Sequence, residues 1–194
     1  MIEDKVTTTQ YFDERSNWDD LRFPMMGQRL TISAGRLDYD FDNCGIEFSA
    51  TARYDNEPIC MSAQMPHHKT FHTAVCPHLH WIQAEDNVPN WLLAYRWYNN
   101  GSAVPESFTL AAGTTVVFPY VADSTMLNIT EFGDIAPPAN EDVSSTLDMI
   151  IYRDSGNDST KFAGADAYTA AVLAKEFDLH YQIDSAGSGT EYVK

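Results

Sequence analysis

In "CPHLHW", Cys76 to Trp81, two histidines stand two positions apart in a run without a charged side chain. Residues i and i+2 of a β-strand share a face, so Cys76, His78 and His80 project to one side and Val75, Leu79 and Trp81 to the other. Imidazoles at that spacing reach a single ion of the borderline class, which favours nitrogen donors. His180, in "DLHYQ", supplies a third nitrogen if its strand lies alongside. His78, His80 and His180 are therefore the candidate metal ligands. An HxH pair from each of three subunits could also surround an ion on a threefold axis. The commoner use of alternating histidines is structural, on a half-buried or subunit-facing strand where they hydrogen-bond to carbonyls or carboxylates. That use is the first expectation here, and no cofactor is expected.

Other clusters fit chemistry less well. "MPHHKTFH" places His67, His68 and His72 beside Pro66, in a turn where ligand spacing is not fixed, and reads as a surface loop. "LDYDFDNCG" offers Asp38, Asp40 and Asp42 like the start of a calcium loop. Its sixth position is Asn43 instead of Gly and its twelfth is Ser49 instead of Glu, while Leu37, Tyr39 and Phe41 alternate as in a strand. Trp81, Trp91 and Trp97, with Tyr95 and Tyr98, could stack sugars, but aromatics at alternating positions more often fill a core. GxSxG, HExxH, GxxxxGK[ST] and GxGxxG are all missing from the sequence. With 28 acidic side chains, some pair always looks suited to glycoside cleavage, so no pair stands out. The sequence therefore predicts a protein that is not an enzyme.

These side chains must be positioned by a chain of 194 residues, enough for one domain with a substantial core. Twelve basic against 28 acidic residues give a net charge of −16, spread along the chain. Such a surface repels phosphate backbones and anionic membranes, which bind clustered Lys and Arg, so neither nucleic acid nor membrane is an expected partner. The N-terminus has no apolar segment behind a positive start, and no run of about 18 apolar residues occurs; a cytosol-like compartment is expected. Cys44, Cys60 and Cys76 form no CxxC pair and read as buried reduced thiols.

Period-2 alternation dominates the pattern. In "LAKEFDLHYQID", Leu173, Phe177, Leu179, Tyr181 and Ile183 fall on one face and Glu176, Asp178, His180 and Gln182 on the other. "NWLLAYRWYNNGS" sets Trp91, Leu93, Tyr95 and Trp97 on one side before an Asn-Asn-Gly turn. Shorter runs rich in Val, Ile, Thr, Tyr and Phe bring the expectation to roughly nine or ten strands in an all-β antiparallel sandwich or jelly roll. Helical signals are confined to "DERSNWDDLRF" and "GADAYTAAVLAKEF". Residues 132–145, with two prolines and three acids, read as a long surface loop, a contact or mobile element. Residues 1–25 read as a polar N-terminal arm that orders against a neighbour, and 26–194 as the sandwich domain.

Five stretches together resemble a family of bacteriophage and prophage virion proteins: "WDDLRFPMMG", "AQMPHHKT", "CPHLHWIQAE", "WLLAYRWYN" and "EFDLHYQIDSAGSGTEYVK". Cys76 before "PHLHW" and the segment 30–55 depart from the pattern. The resemblance implies a β-sandwich among the structural proteins of head, neck or tail, and brings no catalytic residues. The expected function is a capsid decoration or cement subunit in the virion, made in the host bacterial cytoplasm. Its expected partners are the major capsid protein, or neck or tail proteins, and its own copies in a dimer or trimer. The alternatives are a neck or tail component, including a host-glycan adhesin, and a small metalloenzyme using the three histidines.

Overall fold

The computed structural model describes residues 17–25, 37–52, 58–83, 88–111, 114–118, 126–155 and 170–183. Among them are eleven strands and no helix: β1 (Asn17–Pro24), β2 (Asp38–Asp40), β3 (Gly45–Phe48), β4 (Ile59–Gln64), β5 (Val75–Gln83), β6 (Trp91–Tyr98), β7 (Thr109–Leu110), β8 (Thr114–Phe118), β9 (Asn128–Phe132), β10 (Thr146–Arg153) and β11 (Val172–Ile183). The larger sheet runs β2-β3-β11-β5-β9-β8 with β1 also on β11, and the smaller runs β4-β10-β6-β7. The two antiparallel sheets pack against each other, so the alternating sequence folds into the all-β sandwich it predicts.

Alternation sets which side chains enter the core. On β4, Ile59, Met61 and Ala63 point inward and Cys60, Ser62 and Gln64 outward; on β5, Val75, Leu79 and Trp81 are buried while His78 and His80 face out. Trp81 and Trp91 meet at the centre, where Phe48 stands edge-on to Trp91 at 5.0 Å. Trp81 donates its indole N–H to Thr130 Oγ1 and Trp97 to Ser145 Oγ, each at 2.9 Å. All three tryptophans are buried and build the core, while Tyr95 and Tyr98 are half-buried. Truncating any one of the tryptophans to Ala costs roughly 3–5 kcal/mol.

The structure departs from the sequence-based expectation in four places. The first is a β-bulge between Ala174 and Glu176 that shifts the register of β11 against β5. Before it Val172 and Ala174 face the core; after it Phe177, Leu179 and Tyr181 do. Leu173, expected inside with them, instead lies over Gly45, where any Cβ would stand 2.8 Å from Leu173 Cγ and 2.6 Å from the Ala174 carbonyl oxygen. The bulge is what turns Asp178 and His180 to the outer face, because an unbroken alternation from Ala174 would send both inward.

The second departure is the arm. Residues 17–24 of the expected 1–25 arm form β1, paired over its full length with β11, and Met25 is buried; residues 1–16 lie outside the described residues. The helical turns expected in "DERSNWDDLRF" give way, from Asn17 on, to this strand, because Leu21 and Phe23 alternate onto the core. The "GADAYTAA" part of the second helical signal lies outside the described residues. Third, the 132–145 loop is anchored, not loose. Ile135 and Val75 exchange backbone hydrogen bonds, and Glu141 is buried against Lys69. Asn99 also ties the loop down, accepting from the Asp142 N–H and donating to the Asn140 carbonyl. Fourth, none of the three cysteines is in a disulfide, but Cys44 and Cys60 are exposed and only Cys76 is half-buried.

Candidate metal centre

Three neighbouring strands of the larger sheet carry the chemistry onto its outer face. The register sets Asp178 of β11 opposite His78 of β5 on one side and Arg22 of β1 on the other; His180 stands between Cys76 and Asp20 in the same way. Beyond β5, Glu131 of β9 lies opposite His78. Side chains directly across an antiparallel pair have Cβ atoms about 4.5–5.5 Å apart, so this lattice forces carboxylates and imidazoles into contact.

The resulting cluster is compact. His180 Nε2 lies 3.3 Å from Asp178 Oδ2 and 3.2 Å from Asp20 Oδ1. Asp178 Oδ1 lies 3.6 Å from His80 Nε2 and 4.0 Å from His78 Nδ1. The rings of His78 and His180 are 4.3 Å apart between centroids. One potential donor atom from each of His78, Asp178 and His180 falls within 4.8 Å of the other two. Two of the three histidines singled out in the sequence thus meet around a carboxylate, and His80 reaches the group through Asp178. Asp178 and Asp20 are the members that the histidine spacing overlooked; the polar face of "EFDLHYQ" was the signal for Asp178.

Burial makes the cluster demanding. The Asp178 side chain is 6% exposed, and its Oδ1, like His78 Nδ1, is buried without a hydrogen-bond partner. Arg22 turns toward Asp20 and Glu176 instead of the Asp178 opposite it. Burial raises the Asp178 carboxyl, but the His80 imidazole, followed by the charges of His80, His180 and His78, outweighs it and holds the group below the usual carboxylate range. Burial pushes His78 down, and His180 beside it pushes further, so His78 favours the neutral form. A buried carboxylate is stable only against positive charge, supplied either by protonated imidazoles or by a metal ion.

The other sequence clusters come apart in three dimensions. In "MPHHKTFH", His67 Nε2 pairs with Ser144 Oγ at 2.8 Å, while His68 Nε2 lies 2.9 Å from the Tyr181 hydroxyl and 3.2 Å from Asp19 Oδ2. His72 has a positive φ and donates its backbone N–H to Glu141. In the acidic "LDYDFDNCG" hairpin, Asp40 accepts both the backbone and the side-chain N–H of Asn43, so it closes a turn. Cys76 shares the face of the histidines, but burial and then Asp134 push its thiol up to about 12, leaving it protonated and a poor ligand.

No family model matches the chain, and no curated protein does. The five stretches singled out in the sequence hold most of β1, the end of β4 and its following turn, most of β5, all of β6 and most of β11. β1, β11 and β5 lie side by side and hold the cluster.

Proposed function

We propose that this chain is a non-enzymatic structural subunit of a bacteriophage particle, a decoration or cement protein that binds the assembled capsid through protein contacts. The observation that supports it best is where the resembling stretches lie: far apart in sequence, three of them supply the neighbouring strands β1, β11 and β5, as expected of a shared structural module. A strongly acidic sandwich stays soluble until it docks, and docks on basic patches of a shell.

Co-sedimentation tests the reading. Purified protein is mixed with capsids lacking it, and particles are imaged after immunogold labelling. Saturable binding to assembled capsids, with labels on the shell, is the expected result; binding only to tail structures or to a glycan array would overturn it. A tail adhesin is the second reading, favoured by one observation. Tyr39 and the exposed Phe41 lie 5.9 Å apart on a hairpin lined by Asp38, Asp40, Asp42 and Glu47. Aromatic rings beside carboxylates suit a sugar, and the glycan array decides between the two.

A further inference from the structure

The outer face of the larger sheet holds donors arranged around a shared space. Two ligands of one tetrahedral ion at about 2.0–2.2 Å stand about 3.3–3.6 Å apart. His180 Nε2 and Asp178 Oδ2, at 3.3 Å, already meet that separation, and His78 Nδ1 and Asp178 Oδ1, at 4.0 Å, need only a small side-chain rotation. A distance of 4.0 Å is too long for a hydrogen bond, and neither atom of this second pair has a hydrogen-bond partner, His80 Nε2 standing 3.6 Å from the carboxylate oxygen. Buried polar atoms are almost always satisfied, so two unsatisfied atoms 4.0 Å apart beside a third donor, His180 Nε2, point to an ion that all three share. Asp178 is more than nine-tenths buried, and no lysine or arginine pairs with it among the described residues.

We propose that His78 Nδ1, the Asp178 carboxylate and His180 Nε2 bind one divalent transition-metal ion of the zinc class, which staples β11 to β5. Two imidazole nitrogens and one carboxylate group, its Oδ1 toward His78 and its Oδ2 toward His180, select such an ion over magnesium or calcium, which demand more oxygen ligands. Three protein donors leave a fourth position, bordered by Asp20 and His80. The ion supplies a fixed positive charge beside Asp178 and satisfies both unsatisfied atoms at once. The bulge at Lys175 then has a purpose beyond packing, since it presents the two β11 ligands on the correct face.

The test uses the full chain, stripped with a chelator and titrated with Zn2+ and with Co2+. Expected are one equivalent bound, the visible spectrum of four-coordinate Co2+, a Zn2+-dependent rise in melting temperature, and no saturation by Mg2+ or Ca2+. Zn2+ also shifts the imidazole NMR signals of His78 and His180 in the unaltered protein, a readout that needs no variant. Asp178→Asn abolishes saturable uptake. Asp20→Asn, beside a ligand, weakens it about 10- to 100-fold. His72→Ala, outside the cluster, binds as the parent does. Near-UV circular dichroism of each variant separates lost binding from lost folding. Failure of the parent protein to take up a stoichiometric ion, or uptake unchanged in a folded Asp178→Asn, overturns the proposal and leaves a proton-sharing His–Asp network. Capsid binding is measured separately, so either proposal can fail without the other.

Discussion

Asp19 and Asp178, on paired strands, show how position decides what a carboxylate does. Asp19 sits at the sheet margin, 51% exposed, yet it accepts from the Asp20 backbone N–H, from the Tyr181 hydroxyl at 3.1 Å, and faces His68 at 3.2 Å. The Asp20 N–H, then His68 and Tyr181, hold its carboxyl below the ordinary value. A depressed carboxyl stabilises the fold at pH above the unfolded value of about 3.9, and the gain is lost as pH falls through the folded value. Asp19→Asn should therefore unfold at lower urea than the parent at neutral pH, by a margin of about 0.2–1 kcal/mol because solvent screens the site. The gap should close as pH falls below the unfolded value and through the lower folded one; a gap independent of pH would mean that Asp19 acts by shape alone. The cysteines give a second prediction at this scale. Cys44 and Cys60 are exposed, whereas burial, Asp134 and Glu131 hold the Cys76 thiol near 12. At about pH 8, iodoacetamide should label Cys44 and Cys60 quickly and Cys76 at least tenfold more slowly, as read by mass spectrometry, until denaturant equalises them. Rapid labelling of Cys76 in the folded protein would refute this.

At the scale of elements, the turn after β4 and the loop after β9 are locked by one buried pair. Lys69 Nζ donates to Glu141 Oε1 at 2.9 Å, both side chains are 2% exposed, and the ammonium lies 5.3 Å over the Trp97 ring. Breaking such a pair strands a charge in the interior, so Lys69→Met should cost about 3–5 kcal/mol in urea unfolding. Pairing it with Glu141→Leu should recover much of that loss, since removing both charges ends the desolvation cost; a double variant as unstable as the single one would show that Glu141 acts chiefly through the His72 N–H it accepts. Neither partner was legible in the sequence, where Lys69 sat in a histidine-rich turn and Glu141 in an acidic, proline-bearing loop read as surface. Charged residues look exposed unless the partner is known, and this partner is 72 positions away. The strands themselves were legible because burial on one side writes a period of two. The bulge was not, since Leu173 keeps the parity of Phe177 in the sequence while the backbone changes phase between them. Of the candidate site, His78, His80 and His180 could be named from spacing, but their meeting around Asp178 depends on which strands pair, and residues some 100 apart do not announce their register.

Across the whole molecule, the topology joins the ends of the described chain. β1 pairs with β11 from Asn17↔Ile183 to Pro24↔Glu176, so a strand at the start of the sheet is completed only when the last strand is in place. Leu21 and Phe23 pack on the core, and Phe23 lies 6.0 Å from Phe177 between ring centroids. β1 thus covers what would otherwise be a bare edge of β11 from Glu176 to Ile183, and bare edges recruit other chains. A protein lacking residues 1–24 should lose about 3–5 kcal/mol, the worth of two large apolar side chains and their ladder, in urea unfolding. It should also form larger species in size-exclusion chromatography as concentration rises. The net charge of −16 opposes that association, so it should strengthen from low salt to about 0.15 M and above as repulsion is screened. An arm that orders only against a neighbouring subunit behaves differently: its removal would leave the unfolding midpoint of the monomer unchanged and weaken only the oligomer. The eight register pairs of β1 within its own sheet predict the first outcome, and the monomer's unfolding curve distinguishes the two.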